Sequence, residues 1–435
     1  MSMPPANGHT ASQVQRVYLL LTLLTTLATS FIWGVNTLFL LDAGLNNTEA
    51  FAANAFFSVG MVLFEVPTGV VADTRGRRFS FMLGAGVLLL STLLYLVMWQ
   101  IEAPFIGWAL SSILLGLGFT FFSGATEAWL VDALGATGFK GNLETVFGRG
   151  QTIAGVAMLG GSVLGGVIAQ MTNLGVPYVL RALMLGVALL AAFWFMRDLG
   201  FKPKTDMHTV DAMRDITRGS IDGGLRNRPV RWMMLAAPFT GGVGIYVFYA
   251  MQPFLLELYG DPTAYSIAGL AAAIVAGAQI VGGLSVPIVR RFFSLRTNAI
   301  FLAVALESII LVAIAIIGFN MDGLGMTAFY LAVVLLVGWA LIGAIARPIR
   351  QAFLNGIIPS EQRATVLSFD SLMSSLGGVV AQPALGRAAD MSGYAASYLV
   401  SGVVSALALP FVFLAKREHA PSDCIDSTES AAAGG

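Results

Sequence analysis

Four acidic residues stand inside long apolar runs of this sequence, where a carboxyl group could bind and release a proton. Glu65, Glu127 and Asp370 lie in the second, fourth and eleventh runs, and Glu307 lies near the middle of the ninth. A charged side chain inside an apolar span is costly, so each acid is a candidate for a function. Because burial favours the neutral carboxyl group, we expect at least one to be protonated part of the time. The alternative for Glu65 and Asp370 is a structural hydrogen bond between helices, and for Glu127 it is a charged cluster with Asp132.

The apolar runs that carry these acids number twelve, and each is long enough to cross a bilayer as a helix, which takes about 20 residues. The chain has 435 residues, of which 57% are hydrophobic and 11% charged, with a mean hydropathy of +0.79. A soluble protein carries about 25% charged residues, so this composition excludes soluble enzymes, disordered chains and nucleic-acid binders. The runs do not alternate polar with apolar residues, which predicts helices rather than barrel strands. They cover approximately 17–41, 50–72, 79–99, 104–131, 150–170, 177–196, 232–256, 265–289, 297–319, 326–346, 364–385 and 395–415.

Cysteine and histidine are too few and too far from the spans for a metal or disulfide site. Cys424 is the one cysteine, and His9, His208 and His419 lie outside the apolar runs. A disulfide framework and a cysteine zinc site are excluded. The spans contain no Gly-x-Gly-Asp, His-Glu-x-x-His or Gly-x-Ser-x-Gly pattern, and the chain has no Gly-x-x-x-x-Gly-Lys-Ser/Thr loop. We therefore expect neither an intramembrane enzyme nor direct use of ATP.

The basic residues predict the orientation in the membrane. With both termini in the cytoplasm, every Lys and Arg except Arg181 and Arg387 falls on the cytoplasmic side. This distribution follows the positive-inside rule. We predict a multi-pass protein of the cell (inner or plasma) membrane with both termini cytoplasmic, and no Lys or Arg near the centre of any span.

The longest internal polar stretch separates six runs from six. Its residues Val210, Met213, Thr217 and Ile221 are spaced for one face of a short helix, and a plain charged linker is the alternative. A single constant shift along the chain aligns glycine and basic residues at the connections of the two halves, such as Gly69 with Gly283. We predict a disordered cytoplasmic tail, an N-terminal six-helix bundle, a cytoplasmic linker, a C-terminal six-helix bundle and a second disordered cytoplasmic tail at 1–15, 16–197, 198–231, 232–417 and 418–435.

The connection between the second and third runs reads Gly69-Val-Val-Ala-Asp73-Thr-Arg75-Gly76-Arg77-Arg78. Gly76 permits a tight reversal because glycine tolerates positive φ, and Asp73 can pair with an arginine. The segment resembles the Gly-x-x-x-Asp-x-x-Gly-Arg-Arg/Lys signature of the major facilitator superfamily, and the resemblance extends over about residues 17–417. It implies an all-α polytopic membrane protein with twelve transmembrane helices in two pseudo-symmetric six-helix bundles. Such two-fold repeats work by alternating access, in which the substrate site opens to each side in turn.

The same resemblance implies that this loop latches helix 2 to helix 11 in the outward-open state. An acid at the cytoplasmic end of helix 4 often completes the relay, and Asp132 stands at that position, with Arg78 able to replace Arg77. The alternative is that the arginines only set the topology. The predicted gating residues are Gly69, Asp73, Gly76, Arg77, Arg78 and Asp132.

Helix 5 carries three glycines in the segment Gly161-Ser162-Val-Leu-Gly165-Gly166. This segment resembles the Gly-Pro-x-x-Gly-Gly motif of drug–proton antiporters, with Ser162 in place of the proline. The glycines are predicted packing positions because small residues let helices approach closely, and ordinary small-residue packing is the alternative. Helix 4 has Ser112 where those antiporters usually carry an arginine, so that arginine has no counterpart here.

In the family fold, helices 1, 4, 7 and 10 line the cavity and helices 2, 5, 8 and 11 flank it. This placement favours Glu65, Glu127 and Asp370 for proton coupling over Glu307, whose helix 9 supports the bundle from outside. The inner helices offer aromatic side chains and few fixed charges, which suits a lipophilic or amphipathic solute. The candidate substrate-cavity residues are Trp33, Asn36, Tyr246, Tyr249 and Gln252.

The predicted function is secondary active transport by alternating access, in the form of proton-coupled export of lipophilic or cationic small molecules. The proton gradient supplies the energy and no cofactor is expected. The expected partners are the lipid bilayer, a small-molecule substrate and protons, without nucleic acid, and we expect a monomer. One alternative is proton-coupled uptake of a small nutrient or metabolite, which an arginine or histidine in mid-membrane would favour. Another is a receptor-like member of the fold that binds its ligand without moving it.

Overall fold

The computed structural model describes residues 10–122, 125–203, 224–358 and 363–425. In this part of the chain, eleven helical stretches are long and apolar enough to cross a membrane. The last of them, Thr365–Arg417, contains two of the predicted spans and is broken at Gly393, where φ is +78°. The expected all-α, multi-span membrane fold with twelve spans is thereby confirmed.

The chain divides into two compact units, and the first consists mainly of the N-terminal half. It includes the described residues of Met1–Leu45, Phe56–Met213 and Thr263–Ala273. Its helices are α1 (Ala11–Trp33), α2 (Asn36–Asp42), α3 (Asn47–Arg75, from residue 56 onwards), α4 (Arg77–Gln100), α5 (Phe105–Thr120), α6 (Ala125–Ala136), α7 (Leu143–Met171) and α8 (Gly175–Phe195). Within this unit α1 packs against α7 and α8, and α4 packs against α5 and α8.

The second unit consists mainly of the C-terminal half. It includes the described residues of Asn46–Ala55, Arg214–Pro262 and Ile274–Gly435. Its helices are α9 (Arg228–Tyr259), α10 (Tyr265–Val289, from residue 274 onwards), α11 (Arg296–Phe319), α12 (Met326–Asn355), α13 (Arg363–Ala406) and α14 (Leu409–Arg417). Here α13 packs against α9 and α11, and α11 also packs against α12.

Each unit thus includes a short segment from the other half of the sequence. The first turns of α3, 46–55, belong to the second unit, and the first turns of α10, 263–273, belong to the first. The constant shift that aligns the two halves brings these segments nearly into register. The predicted domain boundaries described two uninterrupted bundles, so they did not include this exchange of segments between the units.

The exposed face of α8 shows how the helices suit a membrane. Its exposed side chains are apolar, whereas the face turned into the unit buries Arg181, which is only 2% exposed. Exposed apolar residues recur every three or four positions, which places them on one side of a helix. That side suits contact with lipid rather than water. The residues are Val179, Leu183, Val187, Leu190 and Trp194.

Described structure extends into both of the predicted tails. The Thr10 hydroxyl accepts a hydrogen bond from Gln13 N–H at 3.3 Å, and the Gln13 side chain accepts one from Thr10 N–H at 2.9 Å. This capping box satisfies two free donors of the helix start, so α1 begins at Ala11, inside the predicted tail. The linker residues Val210, Met213, Thr217 and Ile221 lie outside the described residues.

The second predicted tail is folded as far as Ile425. The carboxylate of Asp423 accepts hydrogen bonds from the backbone N–H and the hydroxyl of Thr297, each at 2.7 Å. The indole N–H of Trp232 donates to Glu418 at 3.2 Å. Ala420 is 5% exposed and joins the apolar core of the second unit. Residues 418–425 were predicted to be disordered, but Asp423 caps the start of α11 and so fixes this segment to the second unit.

Candidate gating and proton-coupling sites

The predicted gating loop is the junction between α3 and α4, in the first unit. Gly76 separates the two helices with φ +109° and ψ +153°, a backbone conformation essentially confined to glycine. Across the junction, the guanidinium of Arg77 lies 2.6 Å from the carboxylate of Asp73. The structure therefore brings Asp73, Gly76 and Arg77 together.

Asp198 lies three residues after the end of α8 and contacts this loop. The sequence analysis did not predict this contact. Its carboxylate accepts a hydrogen bond from the backbone N–H of Arg78 at 2.9 Å. A Cβ atom on Gly76 would contact the same carboxylate. Burial raises the pKa of Asp198, although its hydrogen bond and the charges of Arg78 and Arg77 oppose that shift. The sequence did contain a signal for this residue, because Asp198 is an acid among the basic residues that follow the sixth span.

Arg78 is engaged differently from Arg77. Its side chain donates to the carbonyl oxygen of Phe193 at 2.6 Å, and its guanidinium lies 5.6 Å from the Phe193 ring centroid. The guanidinium of Arg77 lies 6.0 Å from the ring of Phe201. Arg78 therefore fixes α4 to the end of α8.

The other two predicted gating residues, Asp132 and Gly69, have different surroundings. Asp132 is half-buried on α6, and the ion pair that Asp73 forms is with Arg77. The backbone of Asp132 is close to Gly200, since a Cβ atom added to Gly200 would lie 2.7 Å from the Asp132 carbonyl oxygen. A Cβ on Gly69 would meet no atom of the described chain within 4 Å.

Asp370, a predicted proton-coupling residue, forms an ion pair inside the second unit. Both of its carboxylate oxygens accept hydrogen bonds from Arg350 at 2.6 Å, and Arg350 also donates to the carbonyl oxygen of Met233 at 3.0 Å. The Asp370 side chain is 9% exposed and that of Arg350 is 23% exposed. The pair joins α12, α13 and α9, and bidentate pairs of this kind are the strong ones.

The other predicted proton-coupling residues are more accessible. Glu65 is half-buried on α3, and Glu127 is exposed at the start of α6. Glu307 is half-buried at the middle of α11. No group of three or more His, Cys, Asp or Glu side chains among the described residues could hold a metal ion.

The substrate-cavity candidates differ in their accessibility. Tyr246 is fully buried, and its hydroxyl donates to Ser397 at 2.7 Å. Gln252 is also fully buried, and Asn36 is buried and accepts a hydrogen bond from the Tyr178 hydroxyl at 2.9 Å. The two aromatic candidates, Trp33 and Tyr249, are only half-buried.

A buried arginine was not expected inside a span. Arg181 on α8 donates to the hydroxyl of Thr92 at 3.0 Å and to the carbonyl oxygen of Ala28 at 3.3 Å. Its guanidinium lies 5.8 Å from the ring of Phe119. The sequence analysis placed Arg181 on the outer side of the membrane, and in the structure it lies six residues after the start of α8. Its side chain nevertheless reaches α1, α4 and α5, so a basic group does lie within the first bundle.

The three glycines of α7 lie at close helix contacts within the first unit. Cβ atoms on Gly161 and Gly165 would collide with the Ser30 side chain and the Phe31 carbonyl oxygen of α1. A Cβ on Gly166 would lie 2.7 Å from the carbonyl oxygen of Tyr265. Small residues are required where backbones approach this closely.

Comparisons with known proteins agree with this fold. The chain matches the sequence profile of the Major Facilitator Superfamily over residues 18–338. It is similar to the solved structure of the nucleoside transporter NupG, with a TM-score of 0.73 and 11% identity over 94% of this chain and 98% of that one. It is also similar to a D-xylose-proton symporter, with a TM-score of 0.64 and 16% identity over 93% and 98% of the two chains. A bacterial homolog of the human lysosomal transporter Spinster gives a TM-score of 0.67 and 17% identity over 95% and 98%.

A multi-pass helical membrane protein with this loop and this pair of six-span halves is a secondary transporter rather than an enzyme. The chain belongs to the major facilitator superfamily. No curated protein sequence matches it. Because the solved structures share less than 20% of their residues with this chain, they establish the fold alone. The narrower resemblance to drug–proton antiporters is not among these findings.

Proposed function

We propose that this chain is a proton-coupled transporter that exports lipophilic or cationic small molecules by alternating access. The observation that carries the proposal is the Asp370–Arg350 ion pair within the second bundle. Removing one partner of a buried ion pair costs about 3–5 kcal/mol. Protonation of Asp370 has a similar effect because it neutralises the carboxylate and leaves Arg350 charged. The proton therefore changes the contact between α12, α13 and α9.

The substrate class rests on which side chains remain accessible. Asn36, Tyr246 and Gln252 are buried, whereas the aromatic rings of Trp33 and Tyr249 are half-buried. Aromatic faces attract organic cations, and the half-buried carboxyl groups of the spans supply negative charge. A lipophilic cation fits these groups better than a sugar, which needs several accessible hydrogen-bonding side chains.

Gating is the role we assign to the junction of α3 and α4. Gly69, Gly76 and Arg78 shape the loop, and Asp73 and Arg77 form the pair that opens and closes in the cycle. Asp132 is proposed to join when the conformation changes. In this proposal the loop and both termini lie in the cytoplasm, as the positive-inside rule favours, and the protein acts as a monomer in the cell membrane.

Uptake of a small nutrient by proton symport is the second candidate function. The observation that favours it is Arg181, which places a positive charge inside the first bundle. An internal arginine suits recognition of a carboxylate or phosphate. The similar D-xylose-proton symporter and nucleoside transporter carry polar solutes, in keeping with this candidate.

Efflux of a fluorescent lipophilic cation from cells that lack their own pumps tests the proposal. Wild type should lower dye accumulation, and a proton uncoupler should abolish this effect. Asp370→Asn should lose it while still reaching the membrane, whereas Asp322→Asn, at an exposed position, should keep it. If the protein is folded and expressed but moves no dye, the export proposal fails. Proton-driven uptake of polar nutrients would then support the second candidate.

A further inference from the structure

Glu307 is a carboxyl group within a span that lies outside both the Asp370–Arg350 pair and the gating loop. It lies at the middle of α11. Leu311, one helical turn further on, is fully buried, whereas Ile309, two residues further on, is exposed on the apolar outer surface. A Cβ atom on Gly343 of α12 would lie only 2.7 Å from the Glu307 carboxylate oxygen. The absence of a side chain at Gly343 therefore provides the space in which this carboxyl group lies.

Arg347 is the charged side chain that acts electrostatically on Glu307. It lies one helical turn after Gly343 on the same face of α12, and it is exposed. Arg350, also on α12, is paired with Asp370 of α13. The carboxyl group therefore lies in the space at Gly343, and an exposed cation lies one turn further along α12.

Other charged residues stand on the helices packed against α11, and Arg363 at the start of α13 donates to the carbonyl oxygens of Asn355 and Ile358. On α13, Asp390 binds backbone N–H groups near the start of α3, and Arg387 is exposed. Lys416 and Arg417 lie at the end of α14, and Asp423 binds Thr297. Thr297 is ten residues before Glu307, which corresponds to about 15 Å along a helix.

We propose that Glu307 is a second proton-binding site of the transport cycle. The protonated carboxyl group occupies the gap at Gly343, and after it releases its proton to water the carboxylate turns towards Arg347. The contact between α11 and α12 then differs between the two protonation states. This inference rests on the proposed proton-coupled function and adds a site outside the Asp370–Arg350 pair.

The test is infrared difference spectroscopy of the purified full-length protein in lipid, between mildly acidic and mildly alkaline pH. A protonated carboxyl group has a distinct C=O stretching band. We expect a component of this band to appear reversibly at acidic pH and to be lost in Glu307→Gln. The exposed control Asp322→Asn should retain it. Persistence of the whole band in Glu307→Gln would overturn the proposal.

Gly343→Ala provides a second test that keeps the acid in place. The added methyl group fills the gap and so favours the ionised form, which should shift the titration of the Glu307 band towards more acidic pH. Gly283→Ala, at a position with no described atom within 4 Å of its Cβ, should leave the titration unchanged. An unshifted titration in Gly343→Ala would contradict the assigned position. The spectra need no substrate, so their failure is distinct from a failure of the efflux assay.

Discussion

Asp390 of α13 binds Thr48 at the first turn of α3, and both residues belong to the second unit. One carboxylate oxygen accepts the Thr48 backbone N–H at 2.8 Å and its hydroxyl at 2.5 Å, and the other accepts the Asn47 N–H at 3.0 Å. The first N–H groups of a helix have no partner within the helix. Asp390 thus caps α3 from a position 342 residues further along the chain.

Replacing this cap should destabilise the protein. Asp390→Ala removes both acceptors, and loss of an N-terminal cap costs about 0.5–2 kcal/mol. We expect a lower thermal unfolding temperature in detergent, with a smaller decrease for Thr48→Val because it removes only the hydroxyl hydrogen bond. Asp322→Asn provides the control. An unfolding temperature equal to that of wild type for Asp390→Ala would show that the cap contributes nothing.

Gly76→Ala should impair both stability and transport. An alanine must adopt the φ of +109°, which costs about 1–3 kcal/mol, and its Cβ would contact the Asp198 carboxylate. Gly86→Ala on α4 is the matched control, since its Cβ would meet no described atom within 4 Å. Thermal unfolding and substrate flux should both decline in Gly76→Ala alone. Equal behaviour of the two variants would refute the role assigned to the junction.

The stability of the first unit should depend on pH through Asp198. Its pKa is raised by burial from the ordinary value of 3.8, so the folded state holds this proton to a higher pH than the unfolded chain does. The free energy of unfolding therefore falls as pH rises through the interval between these two pKa values. Asp198→Asn should remove this decline. A decline of equal size in wild type and variant, measured by unfolding across acidic pH, would assign it to other groups.

Two neighbouring glycines of α7 should respond to alanine in opposite directions. Gly165→Ala places a Cβ against the Phe31 carbonyl oxygen, whereas Gly160→Ala places one where no described atom lies within 4 Å. Alanine is more favourable than glycine in a helix by about 0.5–1 kcal/mol. We expect Gly160→Ala to raise the unfolding temperature and Gly165→Ala to lower it. A gain in both variants would argue against close packing of α7 on α1.

The C-terminal segment offers a comparison between two truncations. Ending the chain after Arg417 removes the Asp423 cap of α11 and the hydrogen bond from the Ser422 hydroxyl to the Phe353 carbonyl oxygen at 2.8 Å. We expect a loss of about 0.5–2 kcal/mol from the cap alone, measured as a lower unfolding temperature. A chain that ends after Ile425 keeps these contacts and should unfold like wild type. Similar unfolding of both truncations would mean that the segment does not stabilise the unit.

The sequence by itself determined the features that depend on neighbouring residues. Apolar runs long enough to span a bilayer become helices in a membrane, because each span must satisfy its own backbone hydrogen bonds. The reversal at Gly76 and the pair of Asp73 with Arg77 could be predicted from a spacing of a few residues. The charge pattern likewise predicted which ends of the helices are basic.

Only the tertiary structure decided which distant residues become partners. Asp198 joins Gly76, Arg350 pairs with Asp370, and Asp390 caps α3, although many acidic and basic residues stood at comparable positions in the sequence. The selection depends on how each helix is rotated and how closely it approaches its neighbours. Apolar runs do not specify these quantities, because nearly every face of a membrane helix is hydrophobic. Packing of small residues and a few polar contacts therefore fix what the hydropathy pattern leaves open.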